Sequence, residues 1–355
     1  MPIDYDGTAT LRLTPVLLNA ESYNLADPHV SARVGSNALG PFITSPYPSA
    51  SQDASGIALS AAYRSKNLAL DVGTTPLGFK VSNVVGGASL AERFDDFTLR
   101  GSISRRAVTD SLLSYAGTSD PRTGEVWGGV VKNGVRIDAG YGDDNGGLYA
   151  AIGYAGLTGQ GVKSNNEFES SVGGYWRVYQ TPDMRATVGV NLTALGYRDN
   201  LSNFTLGNGG YFSPQNYFSF GIPMDVAGRK GRFSYQLGGD IGMRYVRQDQ
   251  APYFPTNAAM QASWENQVKL LPNLATYNAF YEAQSSTGLG YNLAGSFEYL
   301  LTPKFAFGAR LAFDNSHNFT QQTGMIYLRY AFDALPQPVQ FPPRTLRPLS
   351  LGDQL

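Results

Sequence analysis

An alternation of apolar and polar residues with a period of two leaves this chain few possible folds. Near the C-terminus, one face of a predicted strand carries only apolar and aromatic residues, namely Ile326, Leu328, Tyr330 and Phe332. Tyr327 and Arg329 lie between them and therefore fall on the opposite face. A membrane strand needs this pattern because one face meets hydrocarbon and the other meets water, while closure into a barrel leaves no backbone donor unpaired. The segment is typical of the last strand of an outer-membrane barrel.

The same period recurs along most of the chain. Segments of up to about ten residues show it, which is the length that crosses a bilayer at the tilt of a barrel strand. These segments are 97–103, 168–178, 186–194, 233–243, 289–299 and 305–313. The helical period of 3.6 does not fit them. The pattern predicts an all-β fold, a transmembrane antiparallel up-and-down β-barrel, with a soluble β-sandwich or propeller as the alternative.

Composition favours the barrel over the soluble alternatives. The 355 residues include 41 Gly, 22 Tyr and 19 Phe, only 15% are charged, and the net charge is −1. Near-neutrality and the absence of a basic stripe argue against nucleic-acid binding. No stretch of 18 or more apolar residues predicts a membrane-spanning helix. The lack of cysteine excludes thiol catalysis, cysteine zinc sites and disulfides.

Connections between the predicted strands differ in length at the two ends, as in outer-membrane barrels. Short turns are predicted at 142–147, 180–183, 227–231 and 301–304, and we assign them to the periplasm. Long connections are predicted at 107–125, 198–215, 248–287 and 315–323, and we assign them to the cell surface. The strand count is 14 to 16, because residues before 95 are ambiguous and 126–141 forms either one strand or a hairpin through 132–134.

The chain divides into a predicted barrel over 1–332 and a proline-rich tail over 333–355. The tail either hangs in the periplasm or folds into the lumen as a plug. We favour the plug, because exposing these apolar side chains to water is costly: Phe341, Leu346, Leu349 and Leu351. Residues 1–6 have neither the basic start nor the apolar core of a secretory signal. We therefore expect the sequence to be a trimmed form or the C-terminal part of a longer protein.

Several loop motifs, taken in order, resemble one known family. They are 74–79 (TTPLGF), 104–117 (SRRAVTDSLLSYAG), 120–121 (DP) with 127–130 (WGGV), 207–215 (GNGGYFSPQ) and 251–255 (APYFP). Together they resemble the C-terminal domain of the bacterial cellulose synthase operon protein C family over nearly the whole chain. In that family a periplasmic array of tetratricopeptide repeats precedes a 16-stranded outer-membrane barrel through which nascent cellulose, a β-1,4-glucan, leaves the cell. The number 16 and the polymer come from the resemblance alone.

The resemblance also implies the partners. They are the glucan chain, outer-membrane lipids, the periplasmic repeat region of the full-length protein and the cellulose synthase complex. The repeats are missing from this sequence, so contacts with periplasmic proteins are not expected of this chain alone. We expect a monomeric barrel that does not bind nucleic acid.

If the aromatic faces meet lipid, a set of charged residues faces the lumen. These residues are Arg100, Arg106, Glu167, Glu169, Arg177, Asp240, Arg244, Glu298, Arg310, Asp314 and Arg329. A wall of mixed sign suits a neutral polysaccharide, which needs hydrogen-bond partners without a field that selects ions. Inward tyrosines would offer faces for sugar stacking: Tyr149, Tyr175, Tyr197 and Tyr327. As alternatives, the charges pair with one another to brace the wall, and the tyrosines belong to interfacial girdles.

Two aromatic loops are candidates for a gate. The motifs 207–215 and 251–255 combine glycine, proline and aromatic residues, a composition suited to ordered loops that fold over a mouth. We hypothesise that the exported glucan displaces them. The candidate gating residues are Tyr211, Phe212, Tyr253 and Phe254, together with Tyr115 and Trp127. The alternative is that the loops only cover the rim.

The sequence offers little support for catalysis. The two histidines are His29 and His317, and the neighbouring Ser316 would point away from His317 on a strand. The run 143–146 (DDNG) lacks the alternating ligands and closing glutamate of a calcium loop, and is better explained as a hairpin turn. We expect no catalytic residues, metal or cofactor. The leading function is passive glucan export, with a general diffusion porin and, further behind, an outer-membrane hydrolase as alternatives.

Overall fold

A single large antiparallel sheet dominates the molecule. The computed structural model describes residues 2–4, 7–40, 50–270, 278–315, 320–331 and 339–343. Within these ranges the strands are β1 (Pro2–Asp4), β2 (Gly7–Tyr23), β3 (Val34–Gly35), β4 (Ala50–Arg64), β5 (Leu68–Thr74), β6 (Val84–Phe94), β7 (Phe97–Ala107), β8 (Thr118–Ser119), β9 (Val126–Gly142), β10 (Gly146–Gln160), β11 (Val162–Gln180), β12 (Met184–Tyr197), β13 (Phe204–Thr205), β14 (Asn216–Lys230), β15 (Phe233–Gln248), β16 (Ala251–Pro252), β17 (Phe280–Tyr281), β18 (Gln284–Thr302), β19 (Phe305–Asn315) and β20 (Thr320–Tyr330).

The sheet follows an up-and-down order. Sixteen of the described strands belong to it, in the order β1-β2-β4-β5-β6-β7-β9-β10-β11-β12-β14-β15-β18-β19-β20, with β8 attached to β9. β1 and β8 have only three and two residues, which leaves fourteen longer strands and agrees with the predicted range. The segment 126–141 forms one strand, β9, paired with β7 on one side and β10 on the other. The alternative hairpin through 132–134 is therefore wrong.

The two faces of the sheet differ as the alternation predicts. On β11 the outward side chains Phe168 and Trp176 are about half exposed, at 48% and 56%, whereas the inward Glu167 is only 2% exposed. The other predicted segments also lie within strands, and their apolar residues occupy the same outward face. A continuous exposed apolar surface of this kind marks a membrane or partner contact. Phe332 lies outside the described residues.

The connections make the two ends of the sheet unlike. At one end, here called the turn end, two or three residues link most strands, and the predicted turns at 142–147 and 180–183 are confirmed. In the two other predicted turns the strands extend further, so that only 231–232 and 303–304 remain as connections. The opposite end, called the loop end, carries the long connections and two short ones. Gly161 alone joins β10 to β11, with a positive φ of 62°. The long connection predicted at 315–323 is wrong, because β19 extends to Asn315 and β20 begins at Thr320.

Short helices lie within the long connections. They are α1 (Pro28–Ser31), a 3-10 turn (Asn37–Leu39), α2 (Leu112–Ala116) and α3 (Ala258–Leu270). The sequence did not predict α3, which lies inside the connection assigned to 248–287. In the part of the chain that is described, no helix is both long and apolar enough to span a membrane.

Candidate functional site: a polar interior beneath a packed loop cap

Loops from distant parts of the sheet meet in one packed body at the loop end. We call this body the loop cap, and its buried core consists of Ala32, Ala38, Leu113, Trp127, Val130, Leu157, Val162, Leu201, Leu206, Tyr211, Tyr253, Phe254 and Trp264. These residues come from the connections after β2, β7, β12 and β15 and from the adjoining strand ends. Strands so far apart in the sheet order bring their loops together only if the sheet curls. The sheet therefore forms a barrel whose loop end is covered.

Aromatic stacking holds the centre of the loop cap. The ring of Tyr253 lies parallel to that of Tyr281, with centroids 4.2 Å apart, and Trp264 of α3 packs 5.3 Å from Tyr253. The Tyr253 carbonyl accepts hydrogen bonds from Thr205 Oγ1 at 2.5 Å and from Asn208 Nδ2 at 3.0 Å. The connection after β12 and the connection after β15 are therefore joined through one residue. Burial raises the pKa of the Tyr253 phenol.

A second apolar cluster, called the side cluster, lies beside the loop cap. It consists of Phe79, Tyr115 and Ala116, packed against inward-facing residues of β2 and β4, Val16, Leu18 and Ala54, and against Ala107 and Leu112. The rings of Phe79 and Tyr115 meet edge to face, with centroids 5.1 Å apart. The connection after β5 therefore bends into the barrel. Helix α2 lies between the two bodies, because Leu112 packs in the side cluster and Leu113 in the loop cap.

The predicted gating residues are distributed over these two bodies. Tyr211, Tyr253, Phe254 and Trp127 are buried in the loop cap. Tyr115 lies in the side cluster. Phe212 differs from the others, since its side chain is 40% exposed and its ring meets that of Tyr217 at 6.0 Å. That these residues form a gate remains a prediction.

The Asp110 carboxylate anchors the loop that carries Phe212. Asp110 Oδ2 accepts a hydrogen bond from the Phe212 backbone N–H at 2.9 Å, which ties the connection after β7 to the connection after β12. Burial raises the pKa of Asp110, and the hydrogen bond from Phe212 opposes this shift only in part. The neighbouring Tyr211 hydroxyl accepts from Asn165 Nδ2 at 3.1 Å, and burial raises the pKa of that phenol.

Beneath the loop cap, β9 and β11 carry a network of opposite charges on their inward faces. Lys132 forms an ion pair with Glu167 and lies 3.8 Å from Glu169. Arg136 contacts Glu169 at 2.6 Å and Asp138 at 2.8 Å. The pocket along this wall, about 310 Å³ in volume, is lined by all five side chains. Each charge faces its opposite, so the wall is polar without a dominant sign.

Two further groups of charges lie on other parts of the wall. Glu298 of β18 pairs with Arg329 and accepts a hydrogen bond from the Tyr327 hydroxyl at 3.1 Å. Arg244 of β15 lies 3.7 Å from both Asp240 and Asp314. These pairs match the bracing alternative for inward charges, since each links neighbouring positions of the wall.

The structure places every predicted lining residue on the inward face of its strand. Arg100 and Arg106 lie on β7, and Arg177 and Tyr175 lie together on β11, with the Arg177 guanidinium 5.8 Å from the Tyr175 ring centroid. The remaining members of the set share that face: Glu167, Glu169, Tyr197, Asp240, Arg244, Glu298, Arg310, Asp314 and Arg329, with Tyr149 and Tyr327. Their contact with a polymer remains a prediction.

Several inward charges escaped the sequence interpretation, including four that form ion pairs. Asp71 lies on β5, and Lys132, Arg136 and Asp138 lie on β9. Their signal was present, because each alternates with exposed apolar residues such as Val72 or Val135. These charges were missed because the sequence alone did not decide which strands form in 126–141 and in the first 95 residues.

The remaining candidate sites of the sequence have ordinary structural roles where they are described. Asp143 Oδ1 accepts from the backbone N–H groups of Asn145 at 2.7 Å and Gly146 at 3.1 Å, so the run 143–146 is a hairpin turn. These two hydrogen bonds lower the pKa of the exposed Asp143. His29 belongs to α1, whereas Ser316 and His317 lie outside the described residues. Across the described ranges, no group of three or more His, Cys, Asp or Glu side chains is arranged to hold a metal.

Part of the C-terminal tail lies at the turn end. Arg229, at an inward position near the end of β14, donates from Nη1 to the Val339 carbonyl at 3.2 Å, and its guanidinium lies 5.5 Å from the Phe341 ring centroid. Arg229 also bonds Asp183 at 2.8 Å in the turn between β11 and β12. The described tail residues 339–343 therefore contact the barrel wall. Leu346, Leu349 and Leu351 lie outside the described residues.

An apolar outer face, a polar interior and a packed loop cap define an outer-membrane-type β-barrel. The family described as the cellulose synthase operon protein C C-terminus matches residues 1–333. This chain belongs to that family.

Individual relatives agree with the family match. The chain is 36% identical over 347 residues to cellulose synthase operon protein C of Pseudomonas fluorescens (strain SBW25), covering 96% of the chain and 25% of that relative. It is 30% identical over 302 residues to the protein of the same name from Escherichia coli (strain K12), covering 84% of the chain and 25% of that relative. The chain thus spans about a quarter of the length of these relatives.

Solved structures show weaker likeness. A structure described as a bacterial polysaccharide outer membrane secretin aligns with a TM-score of 0.47 and 12% identity, covering 79% of this chain and 80% of that one. OmpT, an outer membrane protein of Vibrio cholerae, aligns with a TM-score of 0.38 and 9% identity, covering 92% of this chain and 98% of that one.

Proposed function

We propose that this chain is an outer-membrane channel through which nascent cellulose leaves the bacterial cell. The observation that carries the proposal is a polar, charge-paired interior beneath a packed loop cap, in a member of the family of cellulose synthase operon protein C. The relatives' name associates them with cellulose synthesis. The chain acts as a passive conduit, and the synthase supplies the driving force.

The outer face supports a position in the outer membrane. Its exposed residues on β2 alone include Leu11, Leu13 and Leu17, which are stable in this orientation only against hydrocarbon or another apolar partner. Barrels with about sixteen strands are wide enough to enclose an aqueous channel. The turn end faces the periplasm, and the loop end faces the cell exterior.

The interior suits a neutral polymer. Paired charges such as Arg136 with Glu169 offer hydrogen bonds to sugar hydroxyls without an excess field of one sign. Because each such group already has a partner, its bond to a passing sugar is weak. Weak, repeated contacts let a processive chain advance without stalling. The same pairs brace the wall.

The loop cap and the side cluster form the gate of this channel. Their packing supports a closed resting state, and the glucan opens the exit by displacing the loop anchored through Asp110 and Phe212. The full-length protein supplies the remaining partners, a periplasmic repeat region and the synthase complex, and the barrel works as a monomer.

A cell-based complementation experiment tests the proposal. The full-length protein containing this barrel is expressed in a strain that lacks its own cellulose export protein, and secreted cellulose is measured by dye binding and cellulase digestion. We expect secretion to be restored with the intact barrel and abolished when β7 is crosslinked across the lumen to β18, which lies seven strands away in the sheet order. Intracellular glucan synthesis without secretion by the intact barrel would contradict the proposal.

Bilayer recording separates export from general diffusion. The purified chain is inserted into planar bilayers, and liposomes are tested for swelling with small sugars. A packed loop cap predicts low resting conductance and no swelling. Large steady conductance with rapid swelling would favour the diffusion porin instead.

A further inference from the structure

A groove on the outer face of the barrel is centred on a residue without a side chain. Gly101 of β7 lies between Leu90 of β6 and Ile137 of β9, and a Cβ atom at Gly101 would meet nothing within 4 Å. We call this depression of about 490 Å³ the outer groove. Its lining side chains Leu90, Ile103, Val135 and Ile137 are 52–60% exposed. A flexible hydrocarbon chain suits the outer groove, because it gains the van der Waals contacts that the missing side chain leaves open.

A row of residues that is polar rather than apolar borders the outer groove on its loop-end side. Successive members of this polar row are paired across β7, β9, β10 and β11: Arg105, Asn133, Gly156 and Asn166. The next row towards the turn end is apolar and consists of Ile103, Val135, Tyr154 and Phe168. The apolar outer surface of these strands therefore ends at the polar row. In the proposed membrane placement, the polar row lies at the depth of the lipid headgroups.

Arg105 brings a positive charge to the polar row, and its hydrogen bonds within the described residues all go to neutral oxygen atoms. It donates from Nε to the Val84 carbonyl at 2.9 Å, from Nη1 to Asn133 Oδ1 at 2.6 Å and, more weakly, from Nη2 to an asparagine side chain at 3.5 Å. Arg247, another outward arginine at the loop end, instead lies 3.0 Å from the carboxylate of Asp249. Arg105 is partly exposed, so its charge is available to an anion from outside the chain.

We propose that the outer groove and Arg105 together bind one phosphorylated, multiply acylated glycolipid of the cell-surface leaflet, of the lipid A type. An acyl chain lies over Gly101 and the headgroup phosphate bonds the Arg105 guanidinium, whose planar donors match phosphate oxygens. The two residues are four positions apart on β7, about 13 Å along the strand, which one lipid molecule can span. The Asn133 and Asn166 amides favour a sugar headgroup, because they can bond its hydroxyls. The inference rests on the proposed function in one respect, that the loop end faces the cell exterior.

Binding of lipid A to the purified chain in detergent tests the proposal. Native mass spectrometry counts the bound lipid molecules, and a titration gives the dissociation constant. We expect one lipid A per chain, with its dissociation constant raised roughly fivefold or more by Arg105→Gln, which removes the charge, and by Gly101→Leu, which fills the outer groove. Dephosphorylated lipid A should bind the unchanged protein more weakly by a similar factor. Arg105→Gln should not weaken the binding of the dephosphorylated lipid further, because the phosphate contact is already absent.

Two matched controls make the same substitutions elsewhere on the outer face. Arg247→Gln removes an outward arginine that has a carboxylate partner. Gly295→Leu adds a side chain at an outward glycine of β18, where the nearest atom to a new Cβ is Leu237 Cδ1 at 3.7 Å. Both should bind lipid A as the unchanged protein does. Every variant must first show the gel shift of a folded barrel on heating, and Arg105→Gln carries the test if Gly101→Leu does not fold.

Several outcomes would overturn the proposal. They are no binding of lipid A, unchanged binding by Arg105→Gln, and equally tight binding of phosphatidylglycerol, which would show attraction of any anionic lipid. Displacement of lipid A by millimolar inorganic phosphate would identify free phosphate as the ligand and would also overturn it. If cellulose secretion is restored in the deletion strain while lipid A does not bind, the lipid site is rejected and the export function stands. Binding of lipid A without secretion supports the site and rejects the export function.

Discussion

Arg106 on β7 reaches across β6 and donates two hydrogen bonds to the carboxylate of Asp71 on β5, at 2.6 and 2.7 Å. The Asp71 side chain is completely buried, and that of Arg106 is 12% exposed. A planar guanidinium matches a carboxylate in this two-point geometry, which fixes the relative positions of three neighbouring strands. Removing one partner leaves a buried charge without compensation.

We therefore predict that Arg106→Ala lowers the free energy of unfolding by about 3–5 kcal/mol. The neutral double variant Asp71→Asn with Arg106→Gln should lose less free energy of unfolding than the single variant, because it leaves no unpaired charge. Denaturant unfolding in detergent micelles, followed by the gel shift of the folded barrel, measures both. The control is Arg93→Ala at the exposed turn end, where Arg93 Nε donates to the nearby Asp95 carbonyl at 2.8 Å. If Arg106→Ala and the control had equal free energies of unfolding, the stabilising role of the Arg106–Asp71 pair would be contradicted.

The path of Arg106 requires a residue without a side chain on β6. A Cβ atom at Gly87 would lie 2.8 Å from Arg106 Nη2 and 2.9 Å from the Ile103 carbonyl oxygen. We predict that Gly87→Ala destabilises the barrel by about 1–3 kcal/mol, the usual cost of overpacking. Gly101→Ala is the matched control on β7, since a Cβ atom there meets nothing within 4 Å. The two variants are compared in the same unfolding assay, and similar losses would show that the close approach at Gly87 does not matter.

Titration of Asp110 should make the gate depend on pH. Its pKa in the closed state is raised above the ordinary value of 3.8 by burial, whereas in the open state the carboxyl group is solvated. The closed state therefore binds the proton more tightly and gains stability as pH falls through the raised pKa towards 3.8. We predict that open probability in bilayer recordings is highest above the raised pKa and decreases over this window.

Two substitutions isolate this effect. Asp110→Asn keeps an acceptor for the Phe212 N–H and removes the charge, so the gate should stay closed and lose this component of pH dependence. Asp110→Ala removes the acceptor and should raise open probability at every pH. Glu167 and Lys132 also act electrostatically on Asp110, so the Asn variant is compared with the unchanged protein at each pH. An Asn variant with the original pH profile would disprove the role of Asp110.

The strength of the loop cap depends on Trp264. This side chain is fully buried against Tyr253, so Trp264→Ala should destabilise the closed loop cap by about 3–5 kcal/mol. We predict a clear rise in single-channel conductance, with Trp176→Ala on the outward face as the control. Faster proteolysis of the loops would show that the loop cap is loosened. If conductance is then unchanged, the barrier to ions lies elsewhere in the lumen.

The C-terminal tail provides a second test of closure. Its described residues contact Arg229, and we propose that the tail narrows the turn end. Truncation after Phe332 should raise conductance, and Arg229→Ala should have a smaller effect in the same direction. The control is Arg232→Ala at the neighbouring turn. A truncated chain that conducts no better than the full chain would exclude a plug.

The sequence predicted the faces of the strands better than the loops. Phe168 and Glu167 are adjacent, and the requirement that one meet an apolar surface and the other a polar interior is local, so the period of two identifies both. The roles of Phe79 and Trp264 depend on packing against strands far away in the sequence, which no local pattern records. Helix α3 escaped for the same reason, since its stability depends on Trp264 inside the loop cap. The sequence identifies the charged residues that face inward, but it does not show which of them pair, because the pairing depends on the register between strands.

Strand length has a mechanical consequence. In the proposed membrane placement, about ten residues cross the hydrocarbon, yet β11 has 19 residues and its apolar outer face begins only at Phe168. Residues 162–167 rise beyond this point by on the order of 15 Å at barrel tilt. The bilayer therefore contacts only the part of the barrel wall nearer the turn end. The strands extend beyond the bilayer and carry the loop cap at their far ends. Thinning or compression of the bilayer therefore acts on the lipid-contacting part of the wall, and the packing of the loop cap is left unchanged.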